Sequence, residues 1–194
     1  MAIVKARSKK EETRERILRA AARAIRKHGY EGVGVANVMK EVGLTHGGFY
    51  AHFDSRDALL AAAADQAGAE SIEYLARAIA AAKPGQELMA LVDTYLSDGH
   101  VAAPEQGCAI AAAGSEVPRQ QAEVRRVASR RIKDMIGLIE RQFREWGKSA
   151  AHDKAMGIAA TLVGTLVLAR AVDDDQLSTR IRKAAREMIR AAAG

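Results

Sequence analysis

The sequence predicts an all-α protein of about nine helices, with a small three-helix head at the N-terminus joined to a larger helical body. Three observations carry this. Aromatic residues make up 4% of the 194 positions and alanine is abundant, which suits closely packed helices. Apolar residues recur at three- and four-residue spacing through most of the chain. The excess positive charge sits at one end: residues 1–56 hold 12 Lys/Arg against 6 Asp/Glu, whereas residues 57–194 balance 18 against 18. Positive charge confined to one small segment points to nucleic acid as its partner. The expected division is a head over 1–56 and a body over 57–194.

Taken in order, residues 1–8 read as a basic arm with Lys5 and Arg7. Ser8 and Glu11 form a capping-box pattern for a helix that runs to about His28 and stops at Gly29. Its apolar stripe is Ile17, Ala21, Ala24 and Ile25. Lys5, Lys9 and Lys10 are candidates for DNA phosphate contacts, and Arg19, Arg23 and Arg26 for a solvated basic face. Beyond a Gly32-Val33-Gly34 loop, Val35, Val38, Met39 and Val42 share one face of a short helix. Gly43 suits the left-handed conformation that ends helices, Leu44 plugs inward, and Thr45 is a fitting N-cap for a two-turn helix from His46 to Phe53. Two short helices around a Gly-containing turn make a helix-turn-helix, whose second helix lies in the DNA major groove.

In that second helix Phe49 and Phe53 are four apart and face the core, leaving Thr45, His46, Gly48, Tyr50 and His52 outward. Gly47 and Gly48 cost about 1 kcal/mol each relative to alanine, tolerable where backbone must approach a phosphate or base edge. His46 and His52 are six apart and share no helix face, so no metal pair is expected. His46 has the clearest base-reading capacity, with Asn37 and Lys40 the weaker candidates.

The run Gly43-Leu44-Thr45, then Gly47, Phe49, Tyr50, His52 and Phe53, then Ser55-Arg56-Asp57 and Leu59, resembles the signature of TetR-family transcriptional regulators. There the pattern reads Ala-Gly-Val-Ser, one residue, Gly-Thr-Leu-Tyr, one residue, His-Phe, then Ser-Lys-Glu and a Leu. The resemblance covers about the first third of the chain. It implies a DNA-binding domain over 1–56 and a ligand-binding and dimerisation domain over 57–194. It also implies phosphate contacts at Tyr50 and His52, with Arg56 in place of the usual Lys, and repression as the usual mode. One departure stands out: the family places a phosphate-touching Thr near Gly34 or Val35, and neither residue here has a hydroxyl.

Ser55 caps a long helix, about Arg56 to Ala82, with Leu59, Leu60, Ala63, Ala67, Ile72, Leu75 and Ile79 on its apolar face. The resemblance makes it the lever between ligand and head. Further helices are expected at about 86–97, 106–115, 119–146, 154–170 and 176–192, divided by Gly99, Pro104, Pro118, Gly147 and Asp173–Asp175. Residues 155–169 carry no charge, yet at 15 positions fall short of a membrane span, so a buried helix is the reading. Ile158, Leu162, Val163 and Leu166, with Ile181 and Met188 from the last helix, are the expected homodimer interface. A two-fold dimer would set two recognition helices on successive major grooves of a pseudo-palindromic operator.

Tyr74, Met89, Tyr95, His100, Cys108, Met135, Phe143 and Trp146 are of types that line an apolar effector pocket, and equally of types that fill a plain core. Cys108 is the single cysteine, fits a reducing cytoplasm, and lies near an expected helix start, where thiolate chemistry is favoured. It offers an alternative, thiol-based sensing of electrophiles or oxidants. No signal peptide, nucleophile elbow, phosphate loop or HExxH pattern occurs, and no cofactor is expected. A helical-core enzyme and a protein-contact module without an operator are the readings of other classes.

Overall fold

The fold is given by a computed structural model that describes residues 8–193. Within them lie nine α-helices: α1 (Lys9–His28), α2 (Val35–Glu41), α3 (Arg56–Ala80), α4 (Glu87–Tyr95), α5 (Asp98–Ala102), α6 (Ala109–Ala113), α7 (Ala122–Glu140), α8 (Ser149–Ala171) and α9 (Asp175–Ala193). Three 3₁₀ segments intervene, His46–Ala51, Pro104–Gln106 and Gly114–Arg119, and no strand occurs among the described residues. The fold is all-helical, as the composition and periodicity require. Several elements differ from expectation: the helix expected over 119–146 ends at Glu140, and the one expected over 106–115 gives way at Gly114 to a 3₁₀ segment. The recognition segment is a 3₁₀ helix rather than an α-helix, its two glycines having little to stiffen an α-turn, and Asp98–Ala102 is an unanticipated helix capped by Ser97.

Local signals explain the head. The Ser8 hydroxyl accepts from the Glu11 N–H while Glu11 accepts from the Ser8 N–H, closing both sides of the capping box. α2 ends in a Schellman motif: the Leu44 N–H reaches Met39 O at 2.9 Å, the Gly43 N–H reaches Lys40 O at 3.0 Å, and Gly43 has φ +73°. That turn sets the angle between the two halves of the helix-turn-helix. Ile17, Ala21, Ile25, Val38, Met39, Phe49 and Phe53 form the core of the head. This core does not stop at residue 56: Leu59, Leu60 and Ala63 of α3 and Val124 and Val127 of α7 belong to it.

The second core lies in the body, among Leu75, Leu91, Tyr95, Met135, Ile139, Ala155, Leu162, Leu166 and Ile189. α3 serves both cores and packs on α1, α4 and α7; α8 packs on α7 and α9. Arginines tie the layers together. Arg26, expected on a solvated face, is buried; its guanidinium donates to Ala67 O and Glu70 and clamps α1 to α3.

The last two helices correct the expected interface. Ile158, Leu162 and Leu166 are buried within the protomer, and Val163 is half-buried beside a cavity, so none of them is free to face a partner. Ile181 is half-buried and Met188 exposed. The outward stripe of α8 is instead Gly157, Ala160, Gly164, Val167, Leu168 and Ala171. Periodicity marked α8 as apolar on all sides and could not say which side meets its own core. At 23 residues α8 is also longer than the uncharged stretch suggested, and by length and composition alone is able to cross a membrane. It packs into the body core along Ala155, Ile158, Leu162 and Leu166.

Candidate DNA interface and effector cavity

The head presents its polar groups on α2 and on the 3₁₀ segment. Asn37, Lys40, Thr45, His46 and Tyr50 are all exposed, and Tyr50 is 67% exposed with its ring nearly perpendicular to that of His46. A tyrosine so bare on a segment held rigid by the buried Phe49 beneath it is placed for a partner rather than for the core. A Cβ on Gly47 would meet nothing within 4 Å, so the backbone there is uncovered and open to close approach. Thr45 occupies the N-cap position but its side chain makes no capping hydrogen bond, which leaves its hydroxyl available. Gly34, the N-cap of α2, likewise offers no side-chain cap. Lys9 and Lys10 are exposed in the first turn of α1; Lys5 lies outside the described residues.

Of the expected contact residues, Arg56 is used otherwise and His52 is half-buried. Arg56 is half-buried, and its guanidinium donates to Val33 O at 3.1 Å and Tyr30 O at 2.8 Å, fixing the start of α3 to the loop after α1. It is a clamp, not a free cation. His52 is half-buried, with its Nδ1 enclosed and without a partner among the described residues. Around the interface, Arg16 donates to Val42 O, Arg23 pairs with Glu41 at 2.6 Å, and the Arg14 guanidinium lies 4.8 Å over the Phe53 ring. These arginines brace α1 against the helix-turn-helix and hold its orientation.

A partly open cavity of about 250 Å³ lies between α3, α6, α7 and α8, with Tyr30 at one side. Ala64, Gly68 and Ile72 come from α3, Cys108 and Ile110 from around α6, Ala128, Met135 and Ile136 from α7, and Ala159 and Val163 from α8; exposed Ile132 and Met156 form part of the rim. Arg131 is the one charged residue of the lining, and its charge is already answered: it bonds Asp65 at 2.7 Å and Asp134 at 3.0 Å. The site therefore offers apolar surface and a neutralised rim, which favours an uncharged molecule.

Of the eight residues expected to line an effector pocket, only Cys108 and Met135 do so. Tyr74 is exposed, and Trp146 is 63% exposed beyond the end of α7. Met89, Tyr95 and Phe143 pack in the body core. His100 is buried next to the thiol. Its Nδ1–H donates to Tyr95 O at 2.6 Å and its Nε2 accepts from the Cys108 N–H at 2.9 Å, which fixes the neutral tautomer. Burial, with the charges of Arg170 and Arg26, holds its pKa below the ordinary imidazole value. The Tyr95 hydroxyl is buried without a hydrogen-bond partner among the described residues, and burial, with the influence of Cys108, raises its pKa well above the usual phenol value. Sequence reasoning missed Tyr30, Ser71 and Arg131 in the lining, which come together only through long-range packing. Among the described residues no group of His, Cys, Asp and Glu could hold a metal ion.

Residues 17–63 match the family model for bacterial regulatory proteins of the tetR family. An uncharacterized HTH-type transcriptional regulator of Mycobacterium tuberculosis is 31% identical over 172 residues, spanning 81% of this chain and 84% of its own. The HTH-type transcriptional regulator LmrA of Bacillus subtilis is 25% identical over 161 residues, 80% of this chain and 82% of its own. Among solved structures, a TetR transcriptional regulator from Chloroflexus aurantiacus superposes with a TM-score of 0.78 at 26% identity, covering 94% of this chain and 96% of that one. The reduced form of NemR from E. coli gives a TM-score of 0.79 at 17% identity, over 94% and 97% of the two chains, a likeness of fold.

Proposed function

From the premise that this chain belongs to the TetR family and is a DNA-binding transcriptional regulator, not an enzyme, we propose that it is a cytoplasmic homodimeric repressor released from a pseudo-palindromic operator by a small, uncharged, mostly apolar effector. The observation that carries the effector is the cavity, whose lining is apolar apart from Tyr30, Ser71 and a charge-paired Arg131. A charged effector would have to break the Arg131 pairs or enter unpartnered, and either costs more than the cavity returns. At about 250 Å³ the space suits a molecule smaller than a typical drug.

The DNA contacts we assign to Lys9, Lys10, Asn37, Lys40, Thr45, His46, Gly48 and Tyr50, with Lys5 added from the basic arm. The dimer forms through the outward apolar stripe of α8 and that of α9, where Leu177, Ala184 and Met188 are exposed. Left open to water, these residues would make a continuous apolar patch. Leu168→Arg together with Met188→Arg is expected to yield monomers in analytical ultracentrifugation and to abolish binding to a two-half-site duplex; a double variant that stays dimeric sinks this interface.

The effector reading is tested by selecting operator duplexes from random DNA and screening neutral apolar compounds against charged ones of similar size for release. Release by carboxylates but not by neutral compounds would overturn it. A second reading rests on Cys108, whose thiol stands in the cavity wall: an apolar electrophile that enters would meet it. Cys108→Ser would then abolish release by electrophiles while sparing release by inert compounds.

A further inference from the structure

One wall of the cavity does not belong to the body. Tyr30, in the loop after α1, packs in the core of the head and also lines the cavity. Its main chain is held from two directions. The N–H donates to Glu116 Oε2 at 2.9 Å, and the carbonyl accepts from Arg56 at 2.8 Å. Glu116 stands in the 3₁₀ segment that leads into α7, so this bond joins body to head. The approach is close: a Cβ on Gly29 would lie 2.0 Å from Glu116 Oε1, and Gly29 has φ +71°. Only a residue without a side chain lets the carboxylate reach that N–H. Burial and the Glu116 charge push the Tyr30 phenol up to about 12, so it stays a neutral hydroxyl at physiological pH.

Taking the cavity as the effector site, we propose that its occupant touches the DNA-binding head directly through the Tyr30 side chain, and that the Glu116–Tyr30 bond is the contact through which occupancy alters DNA affinity. A ligand shifts an equilibrium only if it binds the two states unequally. Tyr30 supplies that inequality, because it is part of the binding wall and part of the head. A displaced Tyr30 ring pulls on the residue 29–30 peptide, and the Glu116 and Arg56 bonds cannot both keep their lengths. The head then moves against the start of α3 without a relay along that helix.

The probe for the test is N-phenyl-1-naphthylamine, a neutral apolar fluorophore, used with the full chain and a selected operator duplex. Labelling with 3-fluorotyrosine gives one ¹⁹F signal for each of the four tyrosines, assigned with Tyr→Phe variants. Saturating probe is expected to move the Tyr30 signal and leave those of exposed Tyr50 and Tyr74 in place. A Tyr30 signal that stays put with probe bound overturns the contact. Glu116→Ala is expected to bind probe within twofold of wild type while the probe's weakening of operator affinity falls at least fivefold. Glu116→Gln, whose amide oxygen still accepts the Tyr30 N–H, should restore most of that weakening. Undiminished coupling in Glu116→Ala, or none restored by Gln, overturns the transmitting role. Failure of the wild type to bind probe at all overturns the effector reading itself and this inference with it, a result told apart from the others by fluorescence alone.

Discussion

Gly29→Ala is the sharpest perturbation of the junction between head and body. The native backbone there, φ 71° and ψ 178°, lies in a region open essentially to glycine alone, and holding alanine in it costs about 1–3 kcal/mol. The new methyl would also sit 2.0 Å from Glu116 Oε1 and 2.8 Å from its Cδ, so the carboxylate has to leave. Its departure strands the Tyr30 N–H, buried and unpaired, at a further cost of about 1–3 kcal/mol. Together the loss is about 2–6 kcal/mol, which for a chain of this length lowers Tm by roughly 5–20 °C. The assay is thermal unfolding at fixed protein concentration, because the Tm of the proposed dimer would depend on it. Combining Gly29→Ala with Glu116→Ala separates the two contributions. Once Glu116 is truncated there is nothing left to collide with and no bond left to lose, so the double variant is expected to be more stable than additivity allows by about 1–3 kcal/mol. A Tm drop under 2 °C for Gly29→Ala, or strict additivity in the cycle, refutes the reasoning.

Lys40→Ala is expected to weaken operator binding and flatten its salt dependence by about one unit of slope, as the loss of a phosphate contact requires. Arg56→Ala, by contrast, should lower Tm and leave that slope intact, since its guanidinium is spent on the Tyr30 and Val33 carbonyls. Ala159→Phe projects a ring into the cavity and is expected to keep operator affinity while raising the concentration of any neutral effector needed for release at least tenfold, measured by fluorescence anisotropy. His100 contributes a pH dependence whose sign is fixed by burial and by the charges of Arg170 and Arg26. The folded chain holds the ring neutral, the unfolded chain takes up a proton near about pH 6.5, and so the stabilisation is full above that value and lost as pH falls toward the lowered folded pKa. Denaturant titrations between pH 7 and 5 should show stability falling by up to about 1.4 kcal/mol per pH unit in this window, and His100→Gln should remove that slope.

The parts of the fold that could be read from the sequence are those whose cause is local. Ser8 with Glu11, Gly43 in its Schellman turn and Ser55 before α3 each act within four residues, and each stands where the spacing placed it. Residues whose role depends on distant partners were misread. Arg26 and Arg56 look like surface cations in sequence, yet each ends on backbone carbonyls of distant residues, up to 79 positions away. Gly29 was visible as a helix stop; its second function, room for Glu116, spans 86 positions between Glu116 and Tyr30 and leaves no local trace.

The cavity shows why residue type alone does not locate a pocket. Large and polarizable side chains suit a pocket and a plain core equally: Tyr95 and Phe143 fill the core, and Tyr74 and Trp146 turn outward. An internal space is left where converging helices bring small residues to the same level. Here Ala64 and Gly68 on α3, Ala109 on α6, Ala128 on α7 and Ala159 on α8 supply it. Gly68 has a second effect: a Cβ there would strike the Arg131 stem at 2.4 Å, so its absence lets α7's arginine lie across α3 and reach Asp65. In an alanine-rich chain such positions are indistinguishable in sequence from those that merely let helices approach. What separates them is whether the opposing helices are small at the same height, and that is a property of packing between elements rather than of any one of them.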